Sequence, residues 1–312
     1  MKKTLYIVAA LMFAACTHDE PLEYDPELTL TFQPCMYMHM SHNDVSCFDE
    51  EMDFAICAWA LPRDFKWSEY SRKATEFLPT SVARCKKENL AKNRNGETVS
   101  DKLWTLDEEV LWPSTNETLT FMGYSPATSN CVCNRDSGVT CTIDLSTEQT
   151  DLLYTLPCHD REKLIDNGIV PLTFDHALCR IDLRIAHRVA EDEKITIKKI
   201  TLDEAQYKGT FASLHTPQWV LEDSSTEFTF FEGREELSLE PEPIGRYIFL
   251  PPQKLSTPIT IEFEYTTAMQ TTIPLTLKTV TMGTELKAGR TYTYTLSIGV
   301  DDVKFLQEII RK

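Results

Sequence analysis

The sequence predicts an all-β chain built from antiparallel β-sandwiches. Apolar residues recur with period two: Leu28, Leu30 and Phe32 alternate with Thr29 and Thr31. Ile259, Ile261, Phe263 and Tyr265 alternate with Thr260, Glu262 and Glu264, and Tyr292, Tyr294, Leu296 and Ile298 alternate with Thr293, Thr295 and Ser297. That period marks half-buried strands with one face in a core and the other in water. The strands are short, turn residues separate them, and no run of βαβ spacing occurs. Ile195 and Ile197 change phase to Ile200 and Leu202 across Lys198-Lys199, the mark of a bulge or of an edge strand guarded by lysines. Helix is confined to two candidate stretches, Lys66 to Phe77 and Val303 to Ile310.

The 312 residues carry 48 Asp and Glu against 31 Lys and Arg, a net charge of −17. Phosphate recognition needs a basic footprint, so this balance argues against nucleic acid as a partner. The length accommodates two domains, each with a core large enough to fold without metal or disulfide. The charged segment from Cys158 to Gly168, closing on Asn167-Gly168, is the best boundary. It divides an N-terminal sandwich over 27–165 from a C-terminal sandwich over 166–300, with a tail over 301–312.

Lys2 and Lys3 precede an apolar run from Leu5 to Ala15, the layout of a secretory signal peptide over 1–15. A bilayer core needs about 20 residues to cross, more than this run supplies. Phe13-Ala14-Ala15-Cys16 places small residues before a cut between Ala15 and Cys16. The site resembles the lipobox of bacterial lipoproteins, in which the cysteine is diacylglycerylated, the leader is removed and the new amine is acylated. Phe13 stands where leucine is more usual. The resemblance implies a lipid anchor on Cys16, a linker over 16–26 and an outer-membrane destination. Several acyl chains on one residue hold stably where a single chain binds marginally. Thr17-His18-Asp19-Glu20 resembles the acidic tag that sends some lipoproteins to the outer surface.

Nine cysteines follow Cys16, an odd number that cannot pair completely within one chain. Cys179 lies in phase with Ile181, Leu183 and Ile185 and reads as a small buried hydrophobe, as does Cys57. Cys131-Val132-Cys133 with Cys141 and Cys158-His159 is the one cluster that looks like metal ligation. C-x-C lacks the spacing of zinc knuckles, so no metal and no cofactor is expected, and these residues read as loop thiols or a local disulfide.

Six stretches carry a further resemblance: Trp112-Pro113, Leu119 to Pro126 (LTFMGYSP), Asp151 to Tyr154 (DLLY), Pro171 to Ile181 (PLTFDHALCRI), Tyr247 to Gln253 (YIFLPPQ) and Leu286 to Tyr294 (LKAGRTYTY). In this order, behind a lipobox, they resemble the fimbrillin family, the fimbria and pilus subunits of anaerobic Gram-negative bacteria. The resemblance implies two transthyretin-like β-sandwich domains in tandem and assembly with other fimbrial subunits by strand exchange. In polymerising members an arginine-specific protease removes the first strand, and a neighbour's strand fills the groove. Here that first strand is Leu28 to Phe32, with Leu28, Leu30 and Phe32 as its core plug. Each word also has a plain physical role: Leu-Pro-Pro-Gln closes an edge where proline cannot pair, Ala288-Gly289 is a turn, and His176 is a structural side chain.

One departure is informative. No Arg or Lys lies between Cys16 and Pro62, and the first Arg is Arg63, beyond the apolar segment Phe54 to Leu61. A cut there removes more than one strand, so the chain is expected to keep its lipid and its first strand, as an anchor or accessory subunit does. In the tail, Val303, Leu306 and Ile310 share a helical face, while Val300, Val303, Phe305 and Ile309 fit a donor segment equally well.

No nucleophile elbow, H-E-x-x-H, phosphate loop or dinucleotide fingerprint occurs, so no enzyme is expected. Acidic runs such as Asp49-Glu50-Glu51 and Glu191-Asp192-Glu193 lie between strands, where solvated turns belong. The alternative is a non-polymerising surface lipoprotein that binds a glycan or host protein. Trp59 and Trp112 belong to the core by strand phase, which leaves Trp67, in the insertion, as the candidate for stacking on a sugar.

Overall fold

The computed structural model describes residues 27–37, 45–86, 91–92, 98–99, 102–166, 168–214, 216–279 and 283–311. Ala15, Cys16, the acidic tag and the linker lie outside the described residues. The first half of the chain forms β1 (Thr31–Tyr37), β2 (Val45–Cys47), β3 (Phe54–Pro62), β4 (Thr75–Cys85), β5 (Ala91–Lys92), β6 (Thr98–Val99), β7 (Trp104–Leu106) and β8 (Glu117–Ser125). It continues with β9 (Cys131–Asn134), β10 (Gly138–Asp144), β11 (Leu153–Tyr154), β12 (Cys158–Arg161) and β13 (Ile169–His176). The second half forms β14 (Cys179–His187), β15 (Lys194–Gln206), β16 (Lys208–Ala212), β17 (Gln218–Leu221), β18 (Ser225–Glu236) and β19 (Glu242–Pro243). It ends with β20 (Ile248–Leu250), β21 (Ile259–Thr266), β22 (Thr272–Lys278), β23 (Thr291–Ile298) and β24 (Val303–Arg311). Helix is limited to single turns, α1 (Trp67–Tyr70) and α2 (Lys163–Asp166), and a 3-10 turn at Ser71–Lys73. The fold is all-β.

In the first half the hydrogen-bonded order β13-β1-β7-β4-β3-β8 closes on itself, because the short β11 pairs with both β8 and β13. The interior of this ring is an aromatic core holding Phe32, Phe48, Phe54, Trp104, Phe121 and Phe174. β3 reads FAICAWALP, apolar without alternation, because both of its faces are buried: Phe54, Ile56 and Ala58 point into the ring, and Ala55, Cys57 and Trp59 point outward. β8 does the same with Phe121 inside and Met122 and Tyr124 outside. Gly123 makes their close approach possible, since a Cβ there would lie 2.8 Å from the Ala55 carbonyl oxygen.

The second half is a sandwich. A sheet of order β19-β14-β23-β24, with β20 also on β14, faces a sheet of order β18-β15-β21-β22 across an aliphatic core. The phase change in β15 is a bulge, with register shifts between Ile197 and Lys199 against both neighbours. The extra residue returns Ile200 and Leu202 to the core face beside Ile195 and Ile197. β15 is a central strand, so its lysines mark the bulge and not an edge; they pair with Glu264 (3.1 Å) and Glu227 (2.9 Å).

The structure corrects three expectations. The division at 165/166 falls inside a sheet, because β13 runs parallel to β1 from Thr31↔Ile169 to Met36↔Phe174. The β16–β17 hairpin of the second half also crosses back to pair with β10 of the first, Thr140↔Ala212 to Asp144↔Lys208. A third core lies between this hairpin's sheet and the outer faces of β3 and β8. The two halves are therefore interlocked, and Cys158 to Gly168 has the composition of a linker while joining β12 to β13 within one sheet. Second, the tail is strand β24 and not a helix, because ten residues hold a helix poorly alone while the edge of β23 offers a full ladder. Third, helix in the insertion stops at Lys73, and β4 begins at Thr75.

Candidate functional site

The two terminal strands are the elements through which this fold can meet a neighbour. The chain enters the ring at Leu28, where the Trp112 N–H donates to the Leu28 carbonyl (2.8 Å) and the Leu30 N–H donates to the Val110 carbonyl (2.8 Å). β1 then pairs with β13 on one side and with β7, followed by β2, on the other. Leu30 and Phe32 are buried in the ring's core and Leu28 packs at its margin. The Phe32 ring stands edge-on to Phe54 (5.9 Å) and Phe121 (5.8 Å). Side chains and ladder together fix the register of this strand.

Arg63 follows β3 directly. Its N–H donates to the Asn116 carbonyl (2.8 Å) and its guanidinium pairs with Glu162 (2.6 Å). β3 lies between β4 and β8 along its whole length. Cleavage after Arg63 would extract β1, β2 and a strand buried on both faces.

β24 is held differently. It pairs with β23 alone, from Thr291↔Arg311 to Ile298↔Val303, on the open edge of its sheet. Val303 and Phe305 reach the core, the latter edge-on to Tyr294 (6.0 Å). Leu306 and Ile310 are 56% and 46% exposed. An exposed edge strand with apolar side chains presents unpaired backbone groups to any partner strand.

A family model described as fimbrillin-like matches residues 65–310. The chain belongs to the fimbrillin-like family. Its fold resembles a fimbrial protein of Bacteroides vulgatus (TM-score 0.65, 15% identity, covering 90% of this chain and 98% of that one). It also resembles a proposed cell adhesion protein of Bacteroides ovatus (TM-score 0.54, 13% identity, 92% and 98% covered). A third likeness is to a proposed cell adhesion protein of Bacteroides uniformis (TM-score 0.51, 14% identity, 91% and 97% covered). At these identities the likeness is one of fold. No curated protein matches the chain.

The fimbrillin-like words fall at structural joints. Trp112 closes the entry of the first strand, its Nε1–H donating to the Gly168 carbonyl (3.2 Å). The DLLY and PLTFDHALCRI words meet at His176, whose Nδ1 lies 2.5 Å from Asp151 Oδ2. Burial pushes the His176 pKa down, but the hydrogen bond and charge of Asp151, with the charge of Asp175, outweigh it and the net shift is upward from 6.5. A folded pKa above the unfolded one stabilises fully below pH 6.5, and that contribution is lost as pH rises through the folded value. The stability advantage of the native chain over His176→Gln is therefore expected to shrink, by about 1 kcal/mol or less, between about pH 5 and pH 8 in urea titrations. An advantage that grows with pH would contradict this assignment.

Trp67 is 5% exposed, so it offers no stacking face. α1 folds back over the outer face of β3, placing the Trp67 ring 6.1 Å from Trp59 and 6.0 Å from His159, and the Trp67 N–H donates to Asp160 (3.0 Å). Periodicity could not place it, because the insertion has no strand phase. Among the cysteines, Cys131 and Cys141 form a disulfide across the β9–β10 hairpin. Burial, with the Cys133 thiol beside it, pushes the Cys57 thiol far up, and burial pushes Cys179 up to about 12. Both thiols donate to backbone carbonyls, of Met122 (3.2 Å) and Leu250 (3.0 Å). They are protonated packing groups and not nucleophiles. Among the described residues no group of His, Cys, Asp and Glu is arranged to hold a metal.

Proposed function

We propose that this fimbrillin-like chain is a lipid-anchored end subunit of surface fimbriae. Acyl chains on Cys16 hold it in the outer membrane, it keeps its own first strand, and it contributes β24 to a neighbouring subunit to support cell adhesion. The observation that carries this is the position of Arg63, the first Arg or Lys after the leader, directly behind β3. A trypsin-like cut there empties the ring of a central strand, so no single-strand groove is opened for a donor. A subunit with no acceptor groove and a peelable edge strand can occupy only one end of a polymer. Donation is β-augmentation, in which ladder hydrogen bonds supply affinity and the alternate side chains Val303, Phe305 and Ile309 supply register.

Unboiled outer-membrane fractions, blotted for this chain and followed by mass analysis of its N-terminal peptide, test the proposal. The expected result is a high-mass ladder whose N-terminus is an acylated Cys16, collapsing to monomer when 301–312 are deleted. A mature N-terminus at Asp64, or a monomer with and without the tail, overturns it.

A further inference from the structure

The outer face of the β14–β23–β24 sheet carries a groove of about 600 Å³ whose charge opposes that of the molecule. Arg180, Arg184, Arg246 and Arg311 line it against two carboxylates, Asp182 and Glu240, in a chain of net charge −17. Arg180 is committed locally: its Nε–H donates to Asp182 (2.9 Å), and its guanidinium lies 4.0 Å from the Tyr247 ring centroid. Arg184 and Arg246 are oriented by backbone carbonyls instead, Arg184 donating to Pro241 (2.6 Å) and Arg246 Nε–H to Thr229 (2.9 Å). A neutral carbonyl fixes a guanidinium without cancelling its charge. Among the described residues no ion pair engages Arg184, Arg246 or Arg311, although carboxylates are in surplus; on the opposite sheet, by contrast, Lys199 and Lys278 are each paired with a carboxylate. The loop that delivers Arg246 and Tyr247 turns at Gly245, at φ +69°, where a Cβ would lie 2.2 Å from the Phe230 carbonyl oxygen. Only glycine fits there, so the loop's placement is built in and not incidental.

We infer that this groove binds an anionic oligosaccharide through its carboxylate or sulfate groups. Guanidinium forks donate paired hydrogen bonds to carboxylate and sulfate. Thr293, Thr295 and Gln307 add hydroxyl and amide groups along the groove floor for sugar hydroxyls. The volume lies within the range of small-ligand sites, about 300–1,000 Å³. An acidic peptide fits less well. β14 and β23 are each paired on both sides, so the groove floor offers no backbone edge for a peptide to join. Arg180 and Arg184 on β14 and Arg246 on the Gly245 loop stay in place when β24 is donated, whereas Gln307 and Arg311 leave with it; the monomer therefore presents the whole groove, and failure of the fimbrial proposal leaves the site standing.

The test is calorimetric titration of the mature chain with a heparin-derived hexasaccharide and with an oligogalacturonate, beside neutral maltohexaose and poly-glutamate. Binding of either anionic sugar, with maltohexaose and poly-glutamate at least tenfold weaker, is the expected result; binding of the oligogalacturonate shows that carboxylates suffice, and binding of the heparin hexasaccharide alone shows that sulfates are required. The Arg184→Gln/Arg246→Gln variant, with unchanged melting temperature, is expected to lose tenfold or more. Arg184→Lys/Arg246→Lys keeps the charge and removes the fork; it serves as the second variant if the first misfolds, and at least threefold weakening is expected. No binding of either anionic sugar, equal binding of poly-glutamate, or a folded variant that binds like the native chain overturns the inference.

Discussion

Phe32→Ala is expected to cost about 3–5 kcal/mol of stability, read as a lower urea midpoint at unchanged m-value. The side chain is 0% exposed and sits where Phe54 and Phe121 converge on it, so its removal leaves a cavity inside a closed ring of strands. A ring relaxes poorly, because each strand is tied on both sides and cannot slide inward to fill the gap. The neighbouring Gln33 points outward, and Gln33→Ala is expected to change stability by less than about 0.5 kcal/mol. The contrast matters for assembly. If β1 is the plug of the first half, its amides will lose hydrogen-exchange protection in Phe32→Ala before those of β3 do. A loss under about 1 kcal/mol, or uniform deprotection of both strands, would show that the strand is not held by its buried side chains.

Phe211→Ala is the second large effect, about 3–5 kcal/mol, and it differs in kind. Phe211 lies on the β16–β17 hairpin, which belongs to the second half by sequence but packs in the third core. Its ring sits 4.7 Å from Tyr154 and 5.4 Å from Trp219, whose Nε1–H donates to the Ala177 carbonyl (2.9 Å). Removing it weakens an apolar layer that joins the ring to the sandwich. Scanning calorimetry is expected to show a single transition for the native chain and two for Phe211→Ala. The exposed neighbour Thr210 supplies the control, since Thr210→Ala leaves the layer intact. A single, uniformly shifted transition in Phe211→Ala would mean that the hairpin stabilises without coupling.

Interlocking also bears on export and assembly. A chain whose halves share a sheet and a core cannot expose one sandwich while the other stays folded without breaking both. In the proposed assembly, strand exchange is confined to the margins, where β24 hangs on one neighbour, and away from the interior strands β3 and β14. The groove lies beside that margin, with Gln307 and Arg311 contributed by β24 itself.

Where apolar residues alternate, the sequence alone determined which segments are strands and which of their side chains enter a core. Ile259 to Tyr265 and Tyr292 to Ile298 bury the residues their period assigns, and the Lys198-Lys199 phase change is a bulge, because side-chain alternation is a local property of extended backbone. It also placed Cys57 and Cys179 among buried groups. Tertiary structure alone decided the pairings. β1 joins β13 in parallel and β14 joins β23 in parallel, each across more than a hundred residues, and no local pattern encodes the distance or direction of a partner. For the same reason Asn167-Gly168 reads as a domain boundary, Trp67 reads as exposed, and the tail fits a helix and an extended segment equally well until an open edge is available to it. The groove shows both sides of this division. Arg180, Asp182 and Arg184 share one strand face by period two, whereas Arg246 and Arg311 join them only after the sheet has formed.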